Sequence, residues 1–290
     1  MVDSTRSATR KVPTRRVALD ESFEAVPRHF ALDGDLLQSH FTAALSALFP
    51  DGEDYFVRSV RHYRDRVTDP ELKRQVAGFI GQEAIHGREH RAFNERLDRM
   101  GYHTRRIESL TKTLLEFRER VAPPIANLAL TAALEHFTAT LAELVLTDDQ
   151  ARESFGHQAV QDLFTWHALE ESEHKSVAFD VYRAVGGSER LRIWTMKVIR
   201  VGFVVVVALE MLWSLASDPG TFRPRRFWSS WKRFRSSPVM ARALREQLRE
   251  YDRLGFHPDD RDTNALVDRW RERLFGQSGS MVDKLAGSPA

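Results

Sequence analysis

Two Glu-x-x-His motifs stand in this chain, Glu83 with His86 and Glu171 with His174. A separation of three residues sets both side chains of a pair on one face of a helix, able to hold the same ion. Two further glutamates lie in sequence that reads as helix. Glu135 interrupts an otherwise apolar run over 128–141, and Glu53 follows Pro50, Asp51 and Gly52, where it is expected to open a helix. In chain order this gives Glu, Glu-x-x-His, Glu, Glu-x-x-His, the ligand pattern of carboxylate-bridged dimetal bundles. Four carboxylates offset two divalent cations and can bridge them, while two imidazoles supply neutral ligands. Without cations, buried carboxylates would repel one another and carry a large desolvation cost.

Each element alone is a weak signal. A single Glu-x-x-His is more often a solvated helix face, and Glu53 is equally well placed as a charge near a helix N-terminus. The order of all four makes the signal strong. His167 lies four residues before Glu171 and seven before His174, on the same face. It is expected as a third imidazole ligand, with a hydrogen bond to a ligand as the other reading. His90, one turn beyond His86, is expected to support a ligand. His136, Glu170 and Glu173 point away from the motif face, and His157 reads as structural.

The elements that must position these residues read as all-α. Helical pattern covers 36–48, 53–66, 71–100, 107–120, 126–146 and 152–184, punctuated by Pro50, Pro70, Gly101, Pro123, Pro124 and Gly186. The expected architecture is a ferritin-like four-helix bundle over 21–190, preceded by a disordered basic arm over 1–20. A helical extension over 191–275 and a flexible tail over 276–290 follow. Within the extension, 193–216 is strongly apolar but carries Lys197, Arg200 and Glu210, so it lacks an uninterrupted span of about 20 apolar residues. It reads as a core helix lining a substrate channel, with membrane contact as the alternative. Over 222–234, basic residues alternate with Phe227, Trp228 and Trp231, a pattern suited to a lipid headgroup surface. No nucleic-acid module accompanies it.

The 290 residues are 42% hydrophobic and 29% charged, which suits an ordered protein, and the net charge is only +2. Cysteine is absent, which excludes disulfides, thiolate nucleophiles, iron–sulfur clusters and thiolate zinc sites. Carboxylate and imidazole ligands suit iron, manganese or zinc. No Gly-x-Gly-x-x-Gly fingerprint follows a strand, so no nicotinamide or flavin site is expected. No apolar run resembling a secretory signal lies in the first 30 residues, and a cytoplasmic location is the default.

The stretches 49–53, 79–90, 170–180 and 255–258, anchored on Glu53, Glu83, His86, Glu171, His174 and His257, resemble the bacterial family of predicted metal-dependent hydrolases. The resemblance spans roughly 20–275. The ligand order is also similar to that of the ferritin-like di-iron oxygenases, including the arylamine N-oxygenases, in which a further histidine precedes the last motif with the spacing of His167. Carried over by position, the ligands would be Glu53, Glu83, His86, Glu135, His167, Glu171 and His174. The C-terminal third departs from the oxygenases. The leading expectation is two iron ions, with manganese or zinc as the alternatives, in an oxidase or oxygenase acting on an apolar or aromatic molecule, with electrons from an external reductase or from the substrate. A dimetal hydrolase of an ester or phosphoester is the second expectation, and a metal-binding protein without catalysis the third. A lipid-like substrate, a peripheral membrane contact and a homodimer complete the expected partners.

Overall fold

A computed structural model describes residues 12–286 of the chain. The first helix, α1 (Leu36–Arg61), is capped by Asp35, whose carboxylate accepts from the Gln38 amide at 3.0 Å. It runs straight through Pro50, where a break was expected. Proline removes the amide that would bond the Ser46 carbonyl, but the Asn94 side-chain amide of the neighbouring helix donates to that carbonyl at 3.0 Å. Glu53 therefore lies in mid-helix and does not open one. Next come α2 (Pro70–Arg99), with Asp69 as its cap and proline in its first turn, then α3 (Thr104–Val121) and α4 (Pro124–Thr147).

The single helix expected over 152–184 is three: α5 (Asp149–Glu153), α6 (Gln158–His174) and α7 (Val177–Ala184). Gly156 makes the first break. Its φ is +70°, and a Cβ there would stand 2.2 Å from the Phe30 carbonyl oxygen, so only glycine lets the two segments approach. His157 caps α6, accepting from the Ala159 amide at 3.3 Å. The second break follows His174, where Lys175 turns aside to donate to the Arg261 carbonyl.

α1 packs on α2 and α4 on α6, and the pairs close through α1 against α4 and α2 against α6. The all-α expectation is met, and no strand occurs among the described residues. Two apolar clusters flank the centre of these four helices. One gathers Phe23, Phe93, Leu163 and Trp166; the other Tyr55, Phe79, Leu128 and Tyr182. Each such side chain contributes about 1.5–3 kcal/mol by leaving water, which offsets the cost of the charged residues held between them.

Beyond the bundle, α8 (Glu189–Ala216) packs on α4 and α1, α9 (Pro224–Arg235) on α1, α10 (Arg242–Glu250) on α4, and α11 (Asn264–Phe275) on α6. His257 clasps the turn between the last two, bonding Asp180 at 2.8 Å. The basic arm was expected to be disordered as far as residue 20. Its Arg6, Arg10 and Lys11 lie outside the described residues, but Val17 and Leu19 are fully buried and Arg15 reaches into the bundle. The tail expected to be flexible is likewise anchored as far as it is described. Met281 is fully buried and Leu285 pairs with Val17, while 287–290 lie outside the described residues.

Candidate metal centre

Four helices bring the seven candidate ligands to one buried point: Glu53 from α1, Glu83 and His86 from α2, Glu135 from α4, and His167, Glu171 and His174 from α6. None is more than 4% exposed. Their atoms divide into two groups. Glu53, His86 and His167 offer ligand atoms within 4.8 Å of one another, and so do Glu83, Glu171 and His174. Glu135 joins the second group, with Oε2 at 3.4 Å from His174 Nε2.

Two carboxylates stand between the groups. Glu83 Oε1 is 3.2 Å from His174 Nε2 and 3.5 Å from His86 Nδ1. Glu171 Oε1 is 2.9 Å from His167 Nε2 and 3.4 Å from His174 Nε2. If two ions were bound, Glu83 and Glu171 would stand between them, with Glu53 toward one side and Glu135 toward the other.

The hydrogen bonds behind the histidines fix which nitrogen faces the centre. His86 Nε2–H donates outward to Glu170 at 3.0 Å, leaving Nδ1 turned inward. Gln82 spends its amide protons on Glu173 and the Pro13 carbonyl, so its oxygen must accept from His174 Nδ1–H at 2.8 Å, leaving Nε2 inward. The third chain is longer. Asn94 donates to two oxygens that can only accept, Ser46 O and Glu108 Oε1, so its own oxygen faces the Ser46 hydroxyl. That hydroxyl must donate to Asn94 and accept from His90 Nδ1–H at 2.8 Å. His90 Nε2 then accepts from His167 Nδ1–H at 2.7 Å, and His167 Nε2 is left as a bare lone pair against Glu171. Three imidazole lone pairs thus converge on four carboxylates.

Both oxygens of Glu53, Glu83 and Glu135, with His86 Nδ1 and His174 Nε2, make no hydrogen bond among the described residues. Buried polar atoms in such number are rare unless an ion satisfies them. A pair of divalent cations fits this donor set in charge, in ligand type and in the supporting bonds that orient the imidazoles. Electrostatics agree. Burial and then repulsion from Glu83 push Glu53 well above the usual carboxylate range. Burial, followed by Glu171 and Glu83, pushes Glu135 up to about 8. Burial opposes ionisation of Glu171 too, but His174 and His167 outweigh it and hold that carboxylate low. Burial works against charging His86 and His174, yet the carboxylates around them push both well above the ordinary imidazole value. Protons crowd where cations would otherwise sit.

A protein-family model described as a predicted metal-dependent hydrolase matches residues 13–262. The chain belongs to that family. No curated protein and no solved structure matches it. The matched span takes in all seven candidate ligands and every residue of the three chains of hydrogen bonds that orient the histidines.

Sequence reasoning missed part of the support. Periodicity turns Glu170 and Glu173 away from the motif face, and in the structure they do face away. Glu170 nonetheless orients His86, and Glu173 orients Gln82 and through it His174. Both are fully buried and neutralised by cations from the two ends of the chain: Arg15 binds both acids, and Arg271 binds Glu173 at 2.6 Å. The signal was present in the composition of α6, whose apolar residues surround its axis and leave those acids no solvent to face. His136 instead bonds the Gln247 carbonyl. A third cluster, His29, His40 and Asp218, also has ligand atoms close together. Its atoms are already engaged: Asp218 takes His29 at 2.8 Å and Arg28 at 3.2 Å, while His40 bonds Ser214, so it reads as a structural tie.

Replacing Glu170 by glutamine removes the charged acceptor behind His86. Metal affinity is expected to fall about 10–100-fold, measured by competition with a chelator, with helical circular dichroism unchanged. Unchanged affinity would show that Glu170 does not tune the imidazole.

Proposed function

We propose that the protein is a two-metal enzyme that acts on the leading end of a slender apolar molecule, and that the reaction is oxidation by dioxygen. The observation that supports this is a narrow cavity of about 60 Å3 that reaches the centre at His167 and Glu171. Its walls are mostly apolar, among them Phe41, Phe49, Ala142 and Phe164, with Gln38, Ser154 and, beside Glu171, Thr138 as polar members. Such a passage suits dioxygen and an apolar chain end better than a charged substrate.

A pair of iron ions, when bound, would supply the binding and reduction of dioxygen. The chain's own part is positional. Thr138 donates to Glu171 Oε2 and so turns Oε1 toward the two histidines, and the aromatic walls align the substrate end-on. The overall balance is one C–H bond exchanged for C–OH, one dioxygen, two electrons and two protons consumed, and one water released. The electrons come from an external reductase.

Hydrolysis of an ester or phosphoester is the second reading, favoured by the description of the family itself. There the same ions would polarise the scissile bond and activate water. One experiment separates the two: elemental analysis of protein purified without added metal, followed by anaerobic iron(II) loading and exposure to air. Bound iron with rapid dioxygen uptake supports oxidation. Zinc or manganese, with no uptake but release of acid from apolar esters, moves the assignment to hydrolysis. Failure to hold any metal overturns both.

A further inference from the structure

Along its outer side α8 presents a row of large apolar residues at helical spacing: Trp194, Val198, Val201, Val205, Leu209 and Leu212, with Val201 66% and Leu209 61% exposed. A second row, Leu110, Leu114, Phe117 and Val121, runs along α3. The two helices meet at Trp213, which stacks on His103 at 5.8 Å and lies under Arg106 at 5.9 Å. Folded domains seldom leave so much contiguous apolar surface to water. By length and composition alone α8 could cross a membrane. Its other side is attached, however: Met196, Val207, Met211 and Leu215 are buried, and Arg192 is fully buried against the carbonyls of Tyr251 and Arg253. A helix bound to its bundle along its length lies on a surface and does not traverse one.

Charge decides what covers this face. On α3 and α8 every exposed ionic residue is basic: Arg105, Arg106, Lys112 and Arg120 on the first, of which Arg105 pairs with Asp98 at 3.4 Å and Arg120 with Glu116 at 3.9 Å, and Arg190 and Lys197 on the second. The acids of α3 are only partly exposed and are engaged, Glu108 with Asn94, Glu116 with Arg120 and Glu119 with Arg58. α9 contains no acid and exposes Arg225, Lys232 and Arg235 beside Trp228 and Trp231. The chain as a whole carries 43 basic and 41 acidic residues, so this is segregation and not excess. Apolar rows rimmed by cations and indoles match the boundary between acyl chains and anionic headgroups. A second copy of the chain would set cations against cations.

We propose that α3, α8 and α9 form a face that docks on the surface of an anionic lipid bilayer. The wall of the cavity that reaches His167 and Glu171 adjoins that face. Phe41 in its wall packs on Phe234 of α9 at 5.4 Å, and Val239, just beyond α9, also lines it. Docking thus brings that wall close to a reservoir of apolar molecules, whichever reaction the centre performs.

The test is co-sedimentation of the full-length, metal-loaded protein with vesicles of phosphatidylcholine alone or mixed with phosphatidylglycerol. Sedimentation with the mixed vesicles only, weakened by added salt, is the expected result. Val201→Asp combined with Leu209→Asp should abolish it, and Lys232→Gln combined with Arg235→Gln should weaken it roughly tenfold or more. Metal content, measured on the same samples, should stay unchanged, which separates loss of docking from loss of the centre. The proposal is overturned if the protein sediments with neither vesicle, or if the aspartate pair sediments as the parent does. It is equally overturned if the parent is a dimer in lipid-free solution that the aspartate pair converts to monomer.

Discussion

Glu135→Gln is expected to raise the melting temperature of the metal-free protein while removing the ion that Glu135 would share with His174. Burial and the neighbouring Glu171 and Glu83 lift the Glu135 carboxyl from 4.5 to about 8. A carboxyl with a raised folded-state value binds its proton more tightly when folded. The stability of the metal-free protein therefore declines as pH rises from about 4.5 through about 8, and near neutral pH most of that loss has been incurred. Glutamine has nothing to protonate, so the variant recovers on the order of 1–3 kcal/mol, or several degrees. With metal the ranking reverses, because ions bind the deprotonated carboxylates and stabilise the folded state by mass action. The metal-induced shift of the parent should also grow with pH. Thermal unfolding of both proteins at pH 6 and pH 8, with chelator or with iron(II) under argon, measures all of this. A metal-free variant that melts below its parent at both pH values would sink the claim that this carboxylate is held for an ion.

The second large effect concerns access. Ala142 lines the narrow passage and is itself buried. Ala142→Phe should fill that space and displace the approaching substrate, lowering turnover on the order of a hundredfold, while overpacking costs about 1–3 kcal/mol of stability. Metal content should not change, since residue 142 is neither one of the seven candidate ligands nor one of the residues that orient them. A panel of straight and branched apolar molecules, scored by dioxygen uptake and by acid release, gives the readout. If turnover of straight-chain compounds survives with metal intact, the substrate reaches the centre by another path.

Much of the centre was legible because its rule is local. Glu-x-x-His acts within one helical turn, so Glu83, His86, Glu171 and His174 are visible as pairs, and His167 falls on the same face by periodicity. Glu135 shows itself as a charge in apolar sequence. What sequence could not show was compensation between distant residues. Pro50 signals a break only until Asn94, far along the chain, bonds the carbonyl that proline frees. Glu170 and Glu173 look idle until Arg15 and Arg271 arrive from opposite ends. The break after His174 was hidden as well, because 175–184 keeps helical periodicity and the turn is secured by a contact from Lys175 to Arg261. Periodicity reports a residue's neighbours along the helix, and these departures are all set by partners elsewhere.

The clamp formed by Arg15 and Arg271 on Glu173 also makes the candidate centre answerable to segments outside its own four helices. His174 is held in its orientation by Gln82, Gln82 by Glu173, and Glu173 by arginines from the segment before α1 and from α11. Loosening either segment would leave a buried acid with half its counter-charge and free the imidazole behind it. Two outlying pieces of chain thus act as a latch on a site to which they give no ligand.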